Sequence, residues 1–154
     1  MEPIEIRTAV PGEKEAVEAV IRSCDLSVDG ILAPGTLYLV GCVDAEIIGA
    51  IGLEGYGGPA CLLRSLAVLP KYRRHGVGGK LMNSAHDAAR IAGASVIYLF
   101  STGAGAYYQR IGYCEAPVDE VVGHLPDAPQ VRHYKRNDWL STEVAWRRHL
   151  TPER

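Results

Sequence analysis

Apolar positions recur with two different periods along the chain. Ile4 and Ile6 alternate with polar neighbours, the rhythm of a half-buried strand, until Pro11 and Gly12 interrupt it. Over residues 13–24, Ala16, Val17, Val20, Ile21 and Cys24 return every three or four positions, which predicts one apolar face of a helix. Glu13 and Glu15 occupy its first turn, where the helix dipole favours carboxylates. A short segment at 28–32 precedes Pro34 and Gly35. The runs 36–43 and 46–53 then flank Asp44 and Ala45, a spacing tight enough to predict an antiparallel hairpin. The glycine-rich bend at 55–59 leads into a third apolar run, 61–69, closed by Pro70.

A longer helix follows, with Val77, Leu81, Ala85, Ala88 and Ala92 on one side and Gly93 at its end. A buried strand is expected at 95–100 and a short helix at 104–111, stopped by Gly112. Beyond Tyr113, Pro117, Pro126 and Pro129 break the chain into short pieces, with a helix expected at 118–125 and a closing strand at 143–149. The run from Arg132 to Arg136 reads as a solvated face. This order of elements describes one α/β domain, residues 1–154, built on a mixed sheet. The connection from 61–69 through the long helix to 95–100 should be a right-handed parallel βαβ unit.

Composition narrows the function classes. The 154 residues are 47% apolar and 22% charged, with a formal charge of −2 and a pI near 6.2. Nothing there attracts nucleic acid or an anionic membrane in general, so any anion must be caught locally. The opening residues carry neither a basic nor an apolar region of the kind that targets secretion, and no run approaches the roughly 18 apolar residues of a membrane helix. Cys24, Cys42, Cys61 and Cys114 lie far apart, with no CxxC pair, which suits reduced thiols in a cytoplasm. His86, His124 and His133 have no metal-ligand spacing and are expected at the surface; no metal is expected.

The most informative stretch is LLRSLAVLPKYRRHGVGGKLM, residues 62–82. A buried strand runs into a proline, a basic turn, glycines at 76, 78 and 79, and an amphipathic helix. The first amides of a helix lack backbone partners and the dipole places partial positive charge there, so this is an anion site. Glycines let phosphate oxygens approach the backbone closely. Two common phosphate motifs fail: position 74 is arginine where a P-loop needs glycine, and position 81 is leucine where GxGxxG needs its last glycine.

What fits is Arg-x-x-Gly-x-Gly at Arg73, Gly76 and Gly78, preceded by SLAVLPKY and followed about thirty residues later by AYYQRIGY. Both stretches, in this order, resemble the two signatures of the GNAT N-acetyltransferase superfamily, and the resemblance spans almost the whole chain. It implies a mixed, mostly antiparallel sheet of six to seven strands with a central βαβ crossover and helices on both faces. It also implies acetyl-coenzyme A as co-substrate and a small-molecule amine as acceptor, with no role for nucleic acid or membrane and with a homodimer possible.

Carried over by position, the resemblance implies that the backbone of Leu66, Ala67 and Val68 pairs with the pantetheine arm. The amides of Arg74, His75, Gly76, Val77, Gly78 and Gly79, with the Arg73 side chain, would hold the diphosphate. Tyr108 matches the tyrosine that protonates the departing thiolate, while Tyr107 is expected in the core. Ser101 and Thr102 stand where the family often has asparagine. The Val68 amide would donate to the tetrahedral oxyanion. Many relatives carry a glutamate base on the strand before the glycine loop; this chain has Arg64 there, and Glu54 is the best substitute, acting through water.

Arg64 has two readings, a structural ion pair with Glu54 or a clamp for a substrate anion, with Glu54 and Tyr56 beside it. The runs IGLEGYGGPACLLRSLAV, YYQRIGY and VAWRRHL are similar to the small acetyltransferases found with arsenic-resistance genes, which act on the amine of arsinothricin and phosphinothricin-like amino acids. The chain departs from that subgroup at KRNDWLSTEV, where a cysteine is expected. Two alternatives stand beside this reading. One is an N-acetyltransferase of a polyamine, aminoglycoside or protein N-terminus; the other is a non-catalytic acyl-CoA sensor.

Overall fold

The computed structural model describes residues 3–151. Seven strands form one sheet: β1 (Glu5–Thr8), β2 (Thr36–Val43), β3 (Glu46–Glu54), β4 (Ala60–Val68), β5 (Val96–Phe100), β6 (Cys114–Ala116) and β7 (Ala145–His149). Their spatial order is β1-β2-β3-β4-β5-β7-β6, antiparallel except between β4 and β5. The helices are α1 (Lys14–Ser23), α2 (Val77–Ile91), α3 (Gly105–Arg110), α4 (Val118–His124) and α5 (Pro129–Arg136). The expected mixed sheet, hairpin and parallel crossover are all present.

Strand alternation sends side chains to both faces, and each face needs a cover. On one face Val77, Leu81, Met82, Ala85 and Ala89 of α2 pack on Ile48, Ile51, Cys61, Leu63, Ile97 and Leu99. On the other, Val17, Val20 and Ile21 of α1 cover Tyr38, Val40 and Ala50. Val121 of α4 and Val131 of α5 complete that face over Ala60, Leu62 and Tyr98. All four cysteines are free thiols. Among the described residues no helix is long and apolar enough to cross a membrane.

Two elements of the C-terminal part differ from the sequence expectation. β6 is only three residues long and carries no alternation to read. The run 132–136 is solvated as expected, with Arg132, Lys135 and Arg136 exposed, but it belongs to a helix the sequence did not predict, α5, whose first turn buries Gln130 and Val131. His86, expected at the surface, is buried in α2, where its Nε2 meets Tyr113 Oη at 2.7 Å.

The site is created by a divergence at the sheet centre. β4 pairs with β5 only through Ala60, Cys61 and Leu62, against Val96, Ile97 and Tyr98. Against β3 the register slips by one residue between Arg64 and Ala67, and Ser65 there has φ +62°. A bulge of this kind bends its strand and re-aims side chains. Residues 63–68 of β4 are therefore left with an unpaired edge facing the gap toward β5.

Candidate active site

Two cavities open along that edge. The first, about 210 Å³, is lined by Val68, Tyr72, Arg73, Arg74, Gly76, Val77 and Gly78. Arg74 and Gly76 both have positive φ, +68° and +79°, which turns the chain sharply into α2. The first hydrogen bond of α2 runs from the Lys80 amide to the Gly76 carbonyl, at 3.1 Å. The amides of Val77, Gly78 and Gly79 therefore precede the helical ladder. A Cβ added at Gly76, Gly78 or Gly79 would meet nothing within 4 Å, so each glycine borders open space that a side chain would occupy. Free amides, a helix N-terminus and a gap held open by glycines fit a diphosphate group.

The second cavity, about 200 Å³, lies where β4 and β5 part. Leu63, Arg64, Ser65 and Leu66 of β4 line one wall, and Leu99, Phe100 and Ser101 the other. Tyr108 of α3, Gln130 and Tyr134 of α5, and Leu26 close it. The unpaired edge of β4 connects the two cavities, and an extended chain can add to such an edge through backbone hydrogen bonds.

The model of the acetyltransferase (GNAT) domain family matches residues 34–115, which carry β2 to β5, the glycine turn, α2 and α3. The chain belongs to this family. It is an acyltransferase, of the N-acetyltransferase class, and its co-substrate is acetyl-coenzyme A. Comparison with curated proteins found no match. Solved structures share the GNAT fold at low identity. An acetyltransferase from Staphylococcus aureus Mu50 superposes with a TM-score of 0.74 at 19% identity, over 97% of this chain and 100% of the other. The N-acetylglutamate synthase of Neisseria gonorrhoeae, complexed with coenzyme A and N-acetyl-glutamate, gives 0.74 at 20% identity over 98% of this chain and 36% of that enzyme. The PaiA N-acetyltransferase of Thermoplasma acidophilum, in complex with coenzyme A, gives 0.67 at 16% identity over 96% and 99%.

The GNAT framework brings some expected residues together and separates others. Tyr108 borders the second cavity. Its ring meets Tyr107 and Tyr113 edge-on, at 5.2 and 5.6 Å between centroids. Burial pushes the Tyr108 phenol above its ordinary pKa, so it keeps its proton. It is Tyr108, rather than Tyr107, that packs against the large core cluster. Behind it, Tyr113 is fixed by His86, whose Nδ1 lies 3.1 Å from an Arg148 N–H donor. Burial, reinforced by the Arg148 charge, lowers the His86 pKa to about 4, which keeps the imidazole neutral.

Glu54 is a correction. It is 0% exposed and does not line the cavity. Its Oε2 accepts from Arg64 at 2.8 Å and its Oε1 from the Gln130 amide at 2.8 Å. Burial pushes its carboxyl pKa up, and the Arg64 guanidinium pulls against that shift. With both oxygens engaged and no exposed surface, it makes no direct contact with the cavity where an amine or its water would lie. Tyr56 is a second correction: it is 41% exposed in the β3–β4 turn, its amide bonded to the Gly35 carbonyl, outside the cavity.

Arg64 does border the cavity, but four of its N–H groups are already committed. Besides Glu54 they reach Ser65 Oγ at 3.1 Å, the Asp29 carbonyl at 2.8 Å and the Ser27 carbonyl at 3.2 Å. The ion-pair reading is therefore realised in the geometry. The Arg73 side chain, expected on the diphosphate, folds back to the Val68 carbonyl at 3.2 Å and Cys24 Sγ at 3.4 Å. Val68 itself lines the diphosphate cavity, whereas Leu66 lines the other one. Ala67 is buried, with its side chain in the α1 core.

His75 is exposed and lines neither cavity, as does Thr102. Ser101 reaches the second cavity, but its Oγ accepts from the Ala104 amide at 3.2 Å and its carbonyl from Trp146 Nε1 at 2.9 Å. It shapes the turn into α3. Gln130, Tyr134 and Leu26 were not visible as site residues in the sequence. Pro129 at the first position of α5 was the one local signal of that helix.

Proposed function

We propose that the protein transfers the acetyl group of acetyl-coenzyme A to the primary amine of a small amino-acid-like acceptor. Compounds of the arsinothricin and phosphinothricin type, whose acetylation would confer resistance, are the acceptors to test first. The observation that supports this reading is the second cavity, which opens beside the unpaired β4 edge, with the glycine turn at the far end of the same edge.

In this reading the diphosphate rests on the amides from Arg74 to Gly79 and the pantetheine arm runs along residues 66–68 of β4. The thioester then lies at the bulge, beside Leu66 and Tyr108. The neutral amine attacks the thioester carbonyl, and the Leu66 amide, closer to the acceptor cavity than Val68, meets the oxyanion. As the C–S bond breaks, Tyr108 gives its proton to the thiolate and regains one, through water, from the amine nitrogen that has formed the amide. No carboxylate lines the cavity among the described residues, so the amine enters neutral and its excess proton takes this water route.

Arg64 is the one charged side chain lining the cavity among the described residues, and it retains a spare N–H for an oxygen of the acceptor. A cavity without acidic groups suits neither a polyamine nor an aminoglycoside, whose several ammonium groups need carboxylates. Coenzyme A release should be measured with phosphinothricin, glutamate, spermidine and an aminoglycoside. Turnover restricted to the polycations would overturn the acceptor class. Binding of acetyl-coenzyme A without release on any amine would favour the sensor instead.

A further inference from the structure

Gln130 is 9% exposed, borders the acceptor cavity, and its Oε1 has no hydrogen-bond partner among the described residues. The rest of the residue is pinned. Its amide N–H donates to Glu54 Oε1 at 2.8 Å, and its Nε2 donates to Tyr134 Oη at 3.2 Å. Tyr134 in turn packs at a tilt against Phe100 of the facing wall, at 5.5 Å between centroids. In this orientation the carboxamide donates to Tyr134 and leaves its carbonyl oxygen unused. Tyr38 Oη is likewise buried without a partner, but Tyr38 does not line this cavity.

A buried carbonyl without a donor is costly, and folds retain few of them. Its complement is an N–H. The acceptor of this reaction brings one: a neutral primary amine has two N–H bonds and one lone pair. We infer that Gln130 Oε1 receives an N–H of the incoming amine and holds it with its lone pair free to attack the thioester. This rests on the acceptor cavity of the proposed function and adds the residue that selects for an N–H-bearing acceptor. Glu54 then has a defined part in acceptor binding without touching it, because it fixes the backbone of Gln130.

Gln130→Leu removes the carbonyl and keeps the bulk. For the best acceptor of the amine panel, the variant should raise KM at least tenfold, with KM for acetyl-coenzyme A within twofold. Its urea midpoint should not fall, since an unsatisfied buried group has been removed. Tyr134→Phe, which frees the carboxamide to rotate, should raise the acceptor KM two- to fivefold. A Gln130→Leu protein with unchanged acceptor KM overturns the inference and leaves the proposed function standing. So does one whose activity loss is matched by a lower urea midpoint. Should Gln130→Leu fail to fold, Gln130→Met is read by the same criteria, and failure of both to fold assigns Gln130 to the structure alone. A wild-type protein that binds acetyl-coenzyme A but releases none with any amine overturns the proposed function and this inference with it.

Discussion

Arg64 of β4 and Glu54 of β3 meet at 2.8 Å with side-chain exposures of 2% and 0%. Each also reaches beyond its strand. Arg64 holds the carbonyls of Ser27 and Asp29, and Glu54 holds the first turn of α5. One ion pair therefore ties β3 and β4 to both the 27–29 segment and α5, beside the cavity between β4 and β5. Breaking a buried pair from one side leaves an uncompensated charge and costs about 3–5 kcal/mol, whereas replacing both partners with apolar groups costs far less. Glu54→Leu and Arg64→Met should each lower urea stability by that amount, and the double variant by less than their sum. Simple additivity would show that the pair is not coupled.

Tyr108→Phe deletes one hydroxyl and preserves the ring contacts with Tyr107 and Tyr113. Loss of a general acid typically costs a factor of about 10²–10⁴. The expected result is a kcat reduced about a hundredfold, with KM for acetyl-coenzyme A unchanged. Full kcat in the variant removes Tyr108 from the mechanism.

Gly78 tests the diphosphate cradle. Because a Cβ there meets no protein atom, Gly78→Ala should leave the fold intact and raise stability by up to about 1 kcal/mol, the usual gain from stiffening a helical glycine. The same methyl group enters the space assigned to the diphosphate. Acetyl-coenzyme A affinity, read by calorimetry, should drop at least tenfold while the melting temperature holds or rises. Unchanged affinity would place the diphosphate elsewhere.

His86 gives the fold a pH dependence. Its folded pKa lies near 4 against an ordinary 6.5, so between these values the unfolded chain binds the extra proton. Stability from this residue is fully present above pH 6.5 and is lost as pH falls toward 4. The shift corresponds to about 3 kcal/mol at most. His86→Gln, which does not titrate, should lose less stability than the wild type between pH 7 and pH 4.5 in urea titrations. Parallel losses would show that His86 carries no such linkage.

The glycine turn and its helix were legible because both are set by local features: three glycines, a helix start and the strand before it. β1 was legible from alternation, and β2 to β5 as short apolar runs bounded by turn residues, for a similar reason. β6 was too short to carry a period. α5 was hidden because its buried face is a glutamine and a valine among charged residues. Glu54 shows the limit most clearly. As a carboxylate at a strand end it had the chemistry of a base, yet the Gln130 amide that occupies it comes from 76 positions away in the chain.

By itself the sequence determined the mixed sheet, the parallel crossover, the glycine turn before α2 and the acetyltransferase family, since each is written in residues close together. Only the tertiary structure decided that Glu54 and Arg64 pair in the interior, that Leu66 rather than Val68 lines the cavity between β4 and β5, and that Gln130 and Tyr134 line it too. Burial and hydrogen-bond satisfaction are properties of a docked surface, and that surface exists only once α5 and the loop before Ile31 close over β4.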